Sequence, residues 1–401
     1  MPHRRVWVPG GEAVQTVRIP WAAWYGEAKC ELSFPDGWQV TAAEMRGGPD
    51  IGDAGIRAAF AHPLGAPPLR DVARGHRSAV ILVDDLSRPT PAYRLLPYVL
   101  EELAAGGIGA DDTRIIAALA AHRPMTRDDF IKKVGRDVVE RMQVYNHDAY
   151  ENLEFLGYSS RGVPILINRD YMACEVRIAL GMITPRGGFF GGGAKLLIPG
   201  AAGQPTIMAN HRYIHEGFRE HLDEIARIAG LGYIVNPLLN AELDIIALVT
   251  GEPAAAFRQG VEYGKELYRT PVPTGVDVAV FNAFPKDTEL LQAPLALVPM
   301  NGHPDLVREG GTVVITSASP EGLGWHSVLG PGTQLAGRPT PPRHRTILFS
   351  PGVNRWDVRA KFGEAVQHCR NWPEVLTTLQ GVHGEAARAV VFPCGALQYG
   401  G

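Results

Sequence analysis

The sequence predicts an α/β protein of two domains with mostly parallel, doubly wound (Rossmann-like) sheets and an active-site cleft between them. Three observations carry that expectation. At 401 residues the chain exceeds what one hydrophobic core usually supports. Its composition, 45% hydrophobic and 20% charged, is that of an ordinary globular protein rather than a disordered one. Its apolar residues also fall into short continuous runs, the pattern of strands buried on both faces of a parallel sheet, and these alternate with stretches of helical spacing.

Taken in order, residues 1–75 read as short strands and turns ending in HPLGAPPLRDVARG, an irregular connection dense in proline and glycine. Residues 78–84, within SAVILVDD, form the strongest strand. Residues 92 to about 105 have helical spacing and stop at Gly106 and Gly107. Residues 115–121 read as a second buried strand, followed by the acidic helix start TRDDF. Strand, helix and strand make a βαβ unit, which puts reactive residues at the C-terminal ends of its strands. Further strands are expected at 165–168, 175–183 and 244–250, with helices near 219–229 and 253–268. The proline-rich TPVPTG at 270–275 then divides a domain of residues 1–269 from one of residues 276–401. The second opens on a strand at 276–282 and continues through strands at 311–317 and 346–350.

A formal net charge of -3 with scattered lysines and arginines offers no basic stripe, so nucleic acid is not expected as a partner. Cys30, Cys174, Cys369 and Cys394 are far apart and form no CxxC pair, which points to reduced, buried thiols. The opening MPHRRVWVPGG lacks the apolar core of a signal peptide, and no later run approaches the roughly 20 residues of a membrane span. A cytoplasmic protein with no membrane association is the expectation.

Four clusters carry chemistry, each where a strand gives way to a loop. DDLSRPTP at 84–91 sets two carboxylates, a hydroxyl and an arginine on a proline-held turn, able to orient a base and grip an anion; Ser87 or Thr90 capping the next helix is the plainer alternative. AHRPMT at 121–126 would place His122 beside that turn as a general acid or base, with Asp85 fixing its tautomer. TPRGGFFGGGAKLLIPG at 184–200 holds five glycines before Lys195, so that backbone amides can approach a phosphate and the lysine can react or anchor. It is neither a Walker A loop nor a GxGxxG fingerprint. In HRYIHE at 211–216, His211 and His215 share one face of a helix, but Arg212 stands where a zinc protease motif needs glutamate, which disfavours a zinc hydrolase.

In this order, and together with NHD at 146–148 and NAFPKDTELLQ at 282–292, the clusters resemble the nickel-pincer lactate racemase family over nearly the whole chain. The resemblance implies a pyridinium-3,5-bisthiocarboxylic acid mononucleotide, tethered to a lysine, that holds nickel through sulfur, carbon and sulfur. By position Lys195 resembles the tethering lysine, with Gly191, Gly192, Gly193 and Ser87 around the cofactor, and His211 resembles the histidine that completes the square plane. His122 resembles a catalytic histidine, with Asp85 beside it, and Arg88 and Gln292 match positions that contact substrate. Partners implied are a small 2-hydroxy acid and the enzymes that make the cofactor.

Three departures bear on substrate. Arg186 replaces a second catalytic histidine, Leu295 stands where lactate racemases carry a lysine, and Leu291 replaces an aromatic. Arginine stays protonated near neutral pH and cannot act as a base, but it can bind a carboxylate in a forked geometry. His147, His215 or Lys286 are the remaining candidates for a second proton-transfer group. The expected function is racemisation or epimerisation of a 2-hydroxy acid other than lactate. The alternatives are a one-faced oxidoreductase or lyase using the same cofactor, and a non-catalytic member that binds a small anion.

Overall fold

The computed structural model describes residues 16–26, 28–186, 188–212, 217–333 and 342–400. Two six-stranded sheets organise it. The first runs Ile245–Gly251, Tyr233–Leu239, Val176–Leu180, Ala79–Asp84, Thr113–Ala118, Gln143–Asn146, and is parallel except for its first pair. The second runs Val366–Cys369, Arg345–Phe349, Val307–Thr316, Val276–Asn282, Arg388–Phe392, Gln39–Ala42, and is parallel throughout. The mixed α/β class and the parallel sheets expected from the apolar runs are both present.

Each sheet has a switch point. From Ala79–Asp84 the chain steps outward to Thr113–Ala118 and Gln143–Asn146, then returns to Val176–Leu180 on the other side of the starting strand. From Val276–Asn282 it steps outward to Val366–Cys369, then returns to Arg388–Phe392 on the other side. Ligands in open α/β sheets bind beyond the strand ends where the order reverses, because the loops there part and leave a crevice. The segments leaving those two strands are DDLSRPTP and the NAFPKDTELLQ stretch. They meet, since Lys286 donates from Nζ to the carbonyl of Ser87 at 3.2 Å.

The all-apolar strand Ala79–Val83 is fully buried. Each of its larger side chains contributes on the order of 1.5–3 kcal/mol by leaving water. The second sheet is covered on both faces, by one cluster around Trp38, Trp372 and Leu379 and another around Leu290, Leu306 and Val358. Cys174, Cys369 and Cys394 are buried and Cys30 is half-buried. Among the described residues, no helix is long and apolar enough to cross a membrane.

Several elements differ from the expectation, for physical reasons. The strands at 115–121 and 175–183 stop at Ala118 and Leu180, because the residues beyond leave the sheet to form the site. Pro164–Asn168 is a strand, but it pairs with Leu153–Tyr158 in a separate hairpin. Tyr233–Leu239 is a fully buried strand that its Pro237 disguises. Only residues 233–235 bond to Val176–Leu180, so the missing N–H of Pro237 interrupts no ladder on that side. Gln39–Ala42 joins the second sheet beside Arg388–Phe392, a pairing between chain ends that local patterning does not reveal.

Candidate active site

Asp84 and Asp85 end the first sheet's central strand, and both are buried. They do different things. Asp84 pairs with the fully buried Lys133 at 2.5 Å, and Lys133 also donates to the carbonyls of Arg88 and Thr90 at 2.7 and 3.3 Å. Thr90 Oγ1 donates to Asp84 at 2.5 Å and accepts the Met182 amide. Asp85 accepts the amide and hydroxyl of Ser87, with Arg88 Nη1 at 3.6 Å. Burial opposes the charge of Asp85, but the charges of His122 and Arg88 and the Ser87 bond outweigh it and hold the carboxyl below its ordinary range. The helix Ala92–Ala105 has no side-chain cap. Ser87 and Thr90 therefore serve the turn and its carboxylates rather than the helix.

Lys133 is the staple of this turn. Lys133→Met leaves Asp84 buried and uncompensated, and is expected to cost about 3–5 kcal/mol. Thermal unfolding should show a lowered midpoint, and adding Asp84→Asn should recover part of it, since removing both charges is cheaper than stranding one.

The glycine loop is set by packing. Gly192 and Gly193 take φ of 114° and 58°, conformations that suit glycine alone. A Cβ on Gly192 would lie 3.0 Å from the Met182 carbonyl oxygen, and one on Gly193 would lie 2.9 Å from Arg219 Nη2. Gly193 donates its amide to Asn236 Oδ1 at 2.9 Å, so this amide already has a partner within the protein. Gly191 pairs with Thr184 in a two-residue ribbon, Thr184–Pro185 against Phe190–Gly191.

Lys195 follows in the tight turn Gly193–Leu196. Burial, then Arg186, Arg88 and Arg219, push its amine well below the ordinary lysine range. Disfavouring the ammonium form favours the free amine, the form that acts as a nucleophile. Arg186 has a buried Nε without a hydrogen-bond partner; burial and Arg88 lower it to about 9, so it remains a cation near pH 7. Lys286 is also buried and lowered by burial, Arg88 and Arg186. Arg88, Arg186 and Lys195 line one pocket together with Asp85.

His211 ends the helix Gln204–His211. Its Nδ1 lies 2.7 Å from the Ile207 carbonyl; a carbonyl only accepts, so Nδ1 carries the proton and Nε2 keeps a free lone pair. Burial and then Lys195 lower His211 to about 4, which keeps the ring neutral. His122 follows the strand Thr113–Ala118, and its Nδ1 faces Glu289 Oε1 at 3.4 Å. Both atoms are buried without a hydrogen-bond partner. The carboxylate at His122 Nδ1 is thus Glu289 from the second sheet's loop, where the sequence pointed to Asp85; Asp85 acts on His122 through its charge while its hydrogen bonds go to Ser87.

His326 completes the group. Its ring lies against His122 with centroids 5.1 Å apart, and against His211 at 6.1 Å. Burial and the neighbouring His122 and His211 depress it strongly. Gln292 is buried in the turn-rich stretch Leu290–Met300. His147 is not available for proton transfer, because Nε2 donates to the Ala202 carbonyl at 2.9 Å and Nδ1 meets Asn168 Nδ2 at 3.2 Å. His215 lies outside the described residues.

Glu289, His326, Lys133 and Arg219 were not singled out in the sequence. Glu289 sits inside the NAFPKDTELLQ motif, so the motif itself held the signal. His326 lies in a loop ten residues beyond the strand Val307–Thr316, the place where a doubly wound sheet presents reactive groups.

The model of the lactate racemase N-terminal domain matches residues 25–221. A lactate racemase of Lactiplantibacillus plantarum is 27% identical over 286 residues, 67% of this chain and 66% of that protein, just under two thirds of its length. A lactate racemase of Thermoanaerobacterium thermosaccharolyticum is 27% identical over 329 residues, 75% of this chain and 74% of that protein. The lactate racemase apoprotein structure from the latter organism superposes with a TM-score of 0.75 at 22% identity, covering 96% of this chain and 99% of that one. A Thermotoga maritima protein structure superposes at 0.63 with 16% identity, covering 84% of this chain and 99% of that one. These last two show the shared fold. The domain match over residues 25–221, the two relatives and the motifs running from DDLSRPTP to NAFPKDTELLQ make the chain similar to the lactate racemases.

Proposed function

We propose that the protein is a racemase or epimerase of a 2-hydroxy acid other than lactate, working with a lysine-tethered nickel-pincer nucleotide. The observation that carries the reading is the grouping of Lys195, His211 and His122 in one buried region: the His122 and His211 rings both lie against His326, and Lys195 and His122 both disfavour a charge on His211. The residues fit the cofactor. Lys195 is an acylatable amine, and His211 presents a neutral nitrogen of the kind that joins soft sulfur donors in a square plane. In this reading the cofactor supplies the remaining donors beside His211. Arg88 and Arg186 supply charge for its phosphate and for substrate carboxylate.

When bound, the cofactor supplies a reversible hydride acceptor. The chain's own groups handle the rest. Glu289 favours the proton on His122 Nδ1, which leaves Nε2 to take the proton of the substrate hydroxyl. Arg186 and Arg88 hold the carboxylate by charge and forked hydrogen bonds. Arg186 brings its cation from the glycine-loop side, where lactate racemases use a lysine at the position of Leu295, and this shift supports a substrate other than lactate.

The reading is tested on protein co-expressed with the cofactor-synthesis enzymes, incubated with single enantiomers of a panel of 2-hydroxy acids and analysed by chiral chromatography. Interconversion supports it; lactate as best substrate removes the substrate claim. Arg186 in place of a second base favours one competing reading, a one-faced oxidoreductase or lyase, which would release a keto acid or a cleavage product instead. His211→Ala should abolish nickel in the purified protein, read by elemental analysis, while circular dichroism stays unchanged. Full nickel content in that variant would move the ligand elsewhere.

A further inference from the structure

The loop that carries His326 is closed onto the site from the second sheet. Ser327 donates its amide to the Ala121 carbonyl at 2.8 Å, next to His122, and Trp325 donates its amide to Glu289 Oε2 at 3.2 Å. Gly324, at φ 82°, packs so closely on Glu289 that a Cβ there would overlap the carboxylate. This loop is therefore fixed by the residues that orient His122.

The tautomer of His326 is fixed as well. Its Nδ1 accepts the amides of Val328 and Leu329 at 3.2 and 3.0 Å. A ring nitrogen that accepts two N–H bonds carries no proton, so the proton of the neutral imidazole is on Nε2. His326 thus offers a donor and no acceptor to whatever lies beside it, and it cannot replace the missing second base.

We propose that His326 is a further catalytic residue, whose Nε2–H donates a hydrogen bond to the oxygen on the substrate's reacting carbon. This rests on the reading that His122 deprotonates a 2-hydroxy acid. For His122 to take that proton, the oxygen must lie about 2.6–3.2 Å from its accepting nitrogen. The His326 ring is centred 5.1 Å from that of His122 at an interplanar angle of 70°, close enough for one substrate oxygen to contact both rings. With the bound cofactor supplying a reversible hydride acceptor, oxidation of the carbinol would send the O–H proton to His122 as the C–O bond becomes C=O, and in the reverse reduction negative charge would build on that oxygen until His122 returned the proton. A fixed donor is worth most where charge builds, and a neutral imidazole polarising a carbonyl is an established isomerase device.

Two variants separate this role from a structural one. His326→Asn keeps a short side-chain acceptor for the Val328 and Leu329 amides but has no donor at the Nε2 position. His326→Gln places an amide N–H near that position and gives up the cap. Both are made in the cofactor-loaded protein, with intact mass and nickel content recorded beside kinetics. Both should keep adduct and nickel. Asn should keep the thermal midpoint and lose roughly 100-fold or more in kcat with KM changed little. Gln should lower the midpoint yet recover at least a tenfold share of kcat. A bound [2-13C]2-keto acid of the best substrate should show a carbonyl stretch that rises in frequency in Asn and not in Gln. Asn with near wild-type kcat, equal losses in the two variants, or an unmoved carbonyl band overturns the proposal. Loaded wild type that interconverts no hydroxy acid overturns the functional reading instead.

Discussion

Lys195→Ala is expected to remove the cofactor adduct, the nickel and all measurable turnover together. The wild-type amine is buried among Arg186, Arg88 and Arg219, which with burial disfavour its charged form and so keep its lone pair available for acylation. Intact mass after co-expression with the cofactor-synthesis enzymes should show one adduct in wild type and none in the variant. Lys195→Arg sharpens the test, since it restores a cation without an acylatable amine. It should be as empty as the alanine variant. An unmodified wild type under the same conditions would dismiss the tether, and an adduct surviving in Lys195→Ala would move it to another residue. Circular dichroism should be unchanged, because among the described residues Lys195 makes no ion pair whose loss would strand a buried partner.

What the sequence could reveal follows from how local each feature is. The helix Ala92–Ala105 and the strand Val276–Asn282 are written in runs of adjacent residues, and the patterns place both correctly. The clustering of DDLSRPTP, AHRPMT and the glycine loop was legible because parallel strands deliver their C-terminal loops to one edge. The orientation of His122 was not. Asp85 is its neighbour along that edge, but Glu289 reaches it from 167 residues further on, and only the packing of the two sheets' loops decides between them. Gly192 and Gly193 show the limit of composition: their φ values and close packing against Met182 and Arg219 are needed to build the turn that presents Lys195, a requirement as demanding as approach to a phosphate. His326 lies in no recognised pattern, and its fixed tautomer depends on two backbone amides that a sequence does not display.

His122→Asn is expected to lower turnover by about 10²–10⁴-fold, the usual worth of a positioned general base, while leaving the Lys195 adduct and the nickel in place. With Arg186 where a second histidine would stand, His122 carries proton transfer that a two-base enzyme divides, which places the expected loss toward the upper end. Among the described residues neither Lys195 nor His211 hydrogen-bonds to His122, so cofactor assembly should not depend on it. The substitution does leave Glu289 Oε1 facing a shorter side chain, and a modest fall in thermal midpoint is expected from that alone. Glu289→Gln supplies the control, because it removes the charge beside Nδ1 and keeps the imidazole. If Glu289 works by orienting His122, Glu289→Gln should lower kcat by a smaller factor than His122→Asn, and the double variant should be no slower than His122→Asn. Should His122 merely pack the strand end, His122→Asn would lose stability and keep most of its activity, and the double variant would show the two losses adding.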